Sequence, residues 1–308
     1  MTRPLIFMFG GQSSRDEAMV DRLCAVAPTI GDTAKQRATL DFRSNHGIQT
    51  SVHAVTLGWL ELLGANGLEP TASAGLSLGE YAHLVAIGAL DAQASVDLVA
   101  KRGQLYDEGP DGVMAAIYPI AWEDLSPLVD AVNQQFGHGA VAPAVFNSPS
   151  QIVVAGTKEA VDAVIELADA NHYAAATVIE HRIPMHVERF RPVAVRLHHV
   201  LEETPWKPTS TAYYPNVAGE PTEATPHTIV ELLSRHVYQP VRWQQTIDLL
   251  ASTYADGVFV EVGPRSVLGD MMRRRWHPGR TIFSIDPWES ATPRETVAQT
   301  LAEIRDVL

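Results

Sequence analysis

The apolar positions of the chain recur with two periods. Leu5-Ile-Phe-Met-Phe9 is a continuous apolar run ended by Gly10-Gly11, which predicts a strand buried on both faces and then a tight turn. Residues 16–27 and 51–64 carry helical spacing. A short run, Ala72-Ser-Ala-Gly75, leads into a segment whose apolar Tyr81, Leu84, Val85 and Ile87 suit a helix packed on a sheet from Leu78 onward. Residues 92–107 predict another helix. Strand, glycine turn and helix in this order favour an α/β architecture with a mostly parallel sheet.

The texture changes near Asp111. Residues 112–120 read as a strand, Trp122–Phe136 as a helix, and 141–156 as two strands around an Asn-Ser-Pro turn. Lys158–Asp169 reads as a helix, and residues 176–186 close with a strand. Strand, helix, paired strands, helix, strand over about 70 residues is the order of a ferredoxin-like unit. The expected fold is therefore α/β: a hydrolase-like core of residues 1–111 and 184–308, with a ferredoxin-like subdomain inserted at 112–183. Helices resume from Val187, a strand is expected at Thr211–Val217, and helices at His227–Val237 and Trp243–Ala255. The last elements are a strand at Gly257–Gly263, a helix from Val267, a strand at Ile282–Ile285 and a helix over 293–307.

Composition narrows the function classes. The chain has 308 residues, of which 46% are apolar, enough for a full core. Its formal charge of -13 argues against non-specific nucleic acid binding. A single cysteine, Cys24, excludes an internal disulfide framework and a cysteine-based metal cluster, and fits a reducing cytoplasm. The run Leu5–Phe9 is too short for a signal-peptide core, and no stretch approaches the ~18 apolar residues of a membrane span. A soluble cytoplasmic protein without a metal site or a membrane partner is expected.

The sharpest local feature is Gly75-Leu-Ser77-Leu-Gly79. A serine between two glycines at a strand-to-helix junction is the nucleophile-elbow pattern, which exposes Ser77 Oγ and lets the Leu78 amide face an oxyanion. A serine needs a base, and His186, beside Pro184 at the edge of the inserted unit, is the candidate. No acidic partner for it is obvious. Gly10-Gly11-Gln12 can expose backbone amides as a second oxyanion donor; a phosphate-cradling loop is disfavoured because no Gly-Lys-Ser/Thr follows. Arg102 follows Leu98 and Val99 by four and three residues, which puts a guanidinium on or near an apolar helix face. It either pairs structurally or clamps a substrate carboxylate in bidentate fashion.

Together these pieces resemble the malonyl-CoA:acyl carrier protein transacylase family, including the acyltransferases of polyketide synthesis, over nearly the whole chain. Phe9-Gly-Gly-Gln12-Ser-Ser-Arg15 stands where that family has Phe-Pro-Gly-Gln-Gly-Ser-Gln. Gly75-Leu-Ser77-Leu-Gly-Glu80 matches its Gly-His-Ser-Leu-Gly-Glu elbow, and Asn147-Ser-Pro-Ser-Gln151 its middle motif. Gln239-Pro-Val-Arg-Trp243 and Glu261-Val-Gly-Pro264 with Val267-Leu268 match its last signatures. The resemblance implies a ping-pong transfer without a bound cofactor. Ser77 would take the acyl group from a coenzyme A thioester and pass it to the phosphopantetheine thiol of an acyl carrier protein. His186 would serve as base in both halves, oriented by a backbone carbonyl that falls on His236. Amides at Gln12 and Leu78 would form the oxyanion hole, and Arg102 would grip the free carboxylate of a malonyl-type group.

Departures from the family pattern bear on the acyl group. Leu76 replaces the histidine before the nucleophile, Met185 replaces the residue before the catalytic histidine, and Gly10 replaces proline. Leu76 and Met185, with Asn147, are expected to shape the acyl pocket. Retention of Arg102 favours malonyl or a substituted malonyl; an aminoacyl or dipeptidyl group passed between two carrier proteins is the alternative, and a serine thioesterase or hydrolase the rival class. Carrier proteins are acidic, so a basic docking patch is expected, with Arg273, Arg274 and Arg275 the plainest candidates and Arg182, Arg189, Arg191 and Arg196 beside them.

Overall fold

A computed structural model describes residues 2–308; the side chains of Arg274 and Arg275 lie outside the described residues. The strands, in chain order, are β1 (Leu5–Phe9), β2 (Ala72–Gly75), β3 (Val113–Tyr118), β4 (Val141–Ser148), β5 (Gln151–Gly156), β6 (Ala175–Glu180), β7 (Val258–Val262) and β8 (Thr281–Ser284). The helices are α1 (Met19–Val26), α2 (Pro28–Arg37), α3 (Asn45–Ala65), α4 (Gly79–Ala86), α5 (Ala92–Asp107), α6 (Trp122–Phe136), α7 (Lys158–His172), α8 (Arg191–Glu202), α9 (Pro226–His236), α10 (Trp243–Thr253), α11 (Leu268–Met271) and α12 (Pro293–Val307).

One sheet is parallel throughout, in the order β2-β1-β7-β8. Its central strand β1 is buried along its whole length, which is why its sequence is a continuous apolar run and not an alternating one. In register, Phe9 lies opposite Gly75, so β1 and β2 end side by side. The loops that follow them, Gly10–Gln12 and Leu76–Leu78, therefore emerge together at the carboxyl edge of the sheet, where ligand sites of open parallel sheets lie.

The second sheet is antiparallel, in the order β4-β5-β3-β6, and its chain order β3-α6-β4-β5-α7-β6 is that of a ferredoxin-like unit. Strand periodicity serves two cores here. Val113, Ala115 and Ile117 face a small core with Leu125, Val129, Val161 and Val164 of α6 and α7. Met114 and Ala116, on the opposite face, join the large core.

Several elements depart from the sequence expectation. The strand expected at Thr211–Val217 is irregular and contributes one isolated bridge, Tyr213 to Thr222. Pro215 interrupts any ladder there, and the Asn216 amide is directed to Glu80. α2 was not expected; Pro28 at its first turn supplies a preset φ. α3 begins at Asn45, earlier than the spacing indicated, because Ser44 caps it by accepting from the Gly47 N–H at 3.0 Å. The helix expected from Val267 is only α11, followed by a π-helical turn at Met272–Trp276. Among the described residues no helix is long and apolar enough to cross a membrane.

Candidate active site

The turn after β2 requires its glycines. A Cβ on Gly75 would lie 2.0 Å from the Gly79 carbonyl, and one on Gly79 would lie 2.1 Å from the Phe9 oxygen. Strand and helix can touch only because both are bare, and Ser77 between them is forced to φ 51°. Asn216 braces this strained turn from outside. Its Oδ1 accepts the Ser77 N–H at 2.7 Å and its Nδ2 donates to the Gly75 carbonyl at 2.6 Å. Ser77 cannot then use its own amide for an oxyanion, whereas among the described bonds no acceptor meets the amides of Gln12 or Leu78.

Ser77 Oγ stands 2.8 Å from His186 Nε2, and His186 Nδ1 stands 2.7 Å from the His236 carbonyl. A carbonyl only accepts, so Nδ1 carries the ring proton and Nε2 is free to accept from the serine hydroxyl. His186 also sits at positive φ, 65°, so both members of the pair are held in left-handed backbone. Burial pushes the His186 imidazole down to about 4; its bond to the His236 carbonyl opposes this, and the Arg102 charge adds to it. The imidazole is therefore neutral at ordinary pH and can accept a proton.

Arg102 on α5 is completely buried, and among the described residues Nε, Nη1 and Nη2 have no hydrogen-bond partner. Its guanidinium lies over the rings of Tyr106, at 4.1 Å, and Tyr81, at 5.2 Å. Its field reaches both His186 and Glu80. Its charge also acts on the Tyr81 and Tyr106 hydroxyls, but no carboxylate faces it among the described bonds. A planar guanidinium of this kind can match a carboxylate in bidentate fashion.

Other expected residues are distributed as follows. The Gln12 side chain is tied to Asn45 Oδ1 and Gln49 Nε2, at 3.1 and 3.0 Å, which anchors the first loop to α3. Leu76 is buried against that loop: a Cβ on Gly11 would lie 3.0 Å from Leu76 Cδ2. Met185 is buried immediately before His186. Asn147 bonds within its own hairpin, Nδ2 to Gln151 Oε1 at 3.0 Å, and no described bond links it to Ser77 or His186. Arg273 is paired with Asp270 at 2.7 Å, while the Arg274 and Arg275 side chains fall outside the described residues. Arg182, Arg191 and Arg196 are paired with Asp107, Glu188 and Glu108, so much of the basic character around His186 is locally compensated.

Three participants escaped the sequence reading: Asn216, Glu80, and the side chain of His236. Glu80 is fully buried on α4, on the same helix face as buried Leu84 and Ile87. A carboxylate on an apolar face, inside the elbow motif itself, was the available signal. Tyr213 O–H donates to its Oε1, and the Asn216 N–H donates to its Oε2 at 3.3 Å. His236 Nδ1 lies 3.1 Å from the same oxygen.

A strained serine bonded to a carbonyl-held imidazole at the carboxyl edge of a parallel sheet is the arrangement expected of a serine-nucleophile protein of the acyl-transfer class. The family described as Acyl transferase domain matches residues 7–301, and the chain belongs to it. The chain is 33% identical over 297 residues to the Malonyl CoA-acyl carrier protein transacylase of Bacillus subtilis (strain 168), covering 94% of this chain and 88% of that protein. The solved malonyl CoA-acyl carrier protein transacylase of Coxiella burnetii superposes with a TM-score of 0.87 at 26% identity, covering 99% of this chain and 98% of that one. A malonyl-transacylase solved in complex with its type II PKS acyl-carrier protein superposes with a TM-score of 0.83 at 26% identity, covering 96% and 99%.

Proposed function

We propose that this chain transfers a malonyl-type acyl group from coenzyme A, through an ester on Ser77, to the phosphopantetheine thiol of an acyl carrier protein. The observation that carries this reading is Arg102, a buried guanidinium with no hydrogen-bond partner among the described residues, whose charge reaches His186 of the Ser77–His186 pair. An acyl group with its own carboxylate gives such a residue a partner.

In the first half, Ser77 Oγ attacks the thioester carbon as His186 Nε2 takes the hydroxyl proton. The oxyanion is met by the Gln12 and Leu78 amides. Collapse breaks the C–S bond, and His186 returns the proton to the departing coenzyme A sulfur. In the second half, the carrier thiol gives its proton to His186 and attacks the ester carbonyl, and Ser77 Oγ leaves and regains the proton. The His236 carbonyl holds the proton-bearing Nδ1 throughout. Leu76, Met185 and Asn147 border the acyl group. Arg273, Arg274 and Arg275 contact the carrier. No bound cofactor is required, and the reaction belongs to the cytoplasm. Residues 112–183 act as a subdomain set into a core of 1–111 and 184–308.

Intact-mass analysis after mixing with malonyl-, methylmalonyl- and acetyl-CoA tests the reading. Carboxylated donors should label the wild-type chain and not Ser77→Ala, and holo carrier protein should discharge the ester faster than water does. Discharge by water at the same rate with carrier present would assign the chain to hydrolysis.

A further inference from the structure

The bonds around Glu80 carry an assignment that rests on the function proposed above and goes beyond it. His236 is the last residue of α9, and the final carbonyls of a helix have no partner within it. That frees the His236 oxygen for His186 Nδ1 at 2.7 Å, and the His186 N–H donates to the next carbonyl, Val237, at 3.1 Å. The base thus hangs on a helix end by ring and backbone together. A helix end frays unless something anchors it, and a carbonyl that swings loses the imidazole with it.

The anchor is the side chain of the same residue. His236 Nδ1 lies 3.1 Å from Glu80 Oε2, and its ring stacks on that of His186 with centroids 4.8 Å apart and planes 16° from parallel. Glu80 is in turn fixed by Tyr213 and by the Asn216 N–H, and Asn216 Oδ1 holds the Ser77 amide. The contacts close into a ring: Ser77, His186, His236, Glu80, Asn216 and back to Ser77. Nucleophile and base are located against one buried carboxyl group. His236 Nε2 has no partner, which suits a neutral ring carrying its proton on Nδ1, toward Glu80.

We infer that Glu80 and the His236 side chain are positioning residues for the acyl transfer. They hold the His236 carbonyl, and through it the His186 imidazole, in line with Ser77. Glu80 thereby does at one remove what the acid of a Ser-His-Asp triad does directly.

Single-turnover acylation of Ser77 by malonyl-CoA, read by intact mass, tests this on the full chain. His236→Phe keeps the backbone carbonyl and a stacked ring and cannot reach Glu80 with a donor. It should slow acylation at saturating donor about 10–100-fold with the half-saturating concentration little changed. Glu80→Gln should act in the same direction. His236→Gln, whose amide can still donate to Glu80, should recover most of the loss. In parallel, the proton spectrum should show a downfield, slowly exchanging His186 Nδ1–H in the wild type that His236→Phe removes.

Wild-type rates in His236→Phe would overturn the inference. So would equal slowing in His236→Gln and His236→Phe with the imidazole proton unchanged, since that marks a purely structural loss. If the wild type itself takes no acyl group, the proposed function fails, while the imidazole-proton comparison still decides the positioning role.

Discussion

Glu80 and Arg102 are both wholly buried ionisable side chains, each within electrostatic reach of the other, and they are partnered in opposite ways. Donors converge on Glu80 from Tyr213 and Asn216, with His236 Nδ1 beside them. Arg102 has two aromatic faces and no acceptor for any of its donors. Leaving a charge buried without compensation costs several kcal/mol, which is the physical argument for reading Arg102 as a substrate clamp. In the proposed function the partnered half holds the reacting groups, and the unpartnered guanidinium receives the part of the substrate that does not react.

The largest expected effect removes what both halves serve. Ser77→Ala should eliminate the acyl adduct and lower transfer by at least about 10⁴-fold, measured by intact mass and steady-state turnover. His186→Ala should lower kcat about 10³-fold, measured as carrier acylation at saturating donor.

Arg102→Met separates the halves. It should reduce kcat/KM for malonyl-CoA about 10²-fold or more and leave acetyl-CoA nearly unaffected. Thermal unfolding should show its Tm unchanged or raised, because an uncompensated charge is replaced by an apolar side chain of similar length. Glu80→Leu, by contrast, should lower Tm, since it strands the donors of Tyr213 and Asn216. Equal losses with all donors in Arg102→Met would make Arg102 structural and erase the contrast.

Asn216→Ala should be milder, slowing acylation about tenfold by leaving the Ser77 amide and Gly75 carbonyl unpaired. The smallest effect is on pH dependence. Burial pushes His53 and His83 down to about 3 and His186 to about 4, and also holds His236 well below its ordinary value. Histidines kept neutral in the fold bind protons more readily when unfolded. Their stabilisation is complete above the unfolded value near 6.5 and is lost as pH falls toward 4. Glu80 and Glu261, pushed up to about 8 and about 7 by burial, add stability as pH falls and oppose this. Tm should therefore drop between pH 6.5 and 4 only by the margin of the four histidines over the two carboxyls. The acid limb of kcat/KM should fall near pH 4, since His186 must be neutral to accept a proton.

Legibility in the sequence followed the range of the interactions. The elbow is local: glycine spacing, strand and helix lie within a few residues, and the close approach at Gly75 and Gly79 is what the pattern encodes. The ferredoxin-like order was legible because each of its strands alternates or runs apolar between clear turns. The segment around Pro215 misled, since its apolar run suggested a ladder while its polar atoms serve residues more than 130 positions away. Asn216 and Glu80 were missed for the same reason. Their work is done across the fold, and only the burial of a carboxylate on an apolar helix face hinted at it. Arg102 was legible as a choice between two roles, and its lack of partners in the fold favours the substrate clamp.

The most direct test is the ratio of Ser77 acylation rates with malonyl-CoA and acetyl-CoA, measured in the wild type and in Arg102→Met. A strong preference for malonyl in the wild type should disappear in the variant, through loss of the malonyl rate alone. A wild type that accepts acetyl as readily as malonyl, or a variant that keeps the preference, would contradict the clamp role of Arg102.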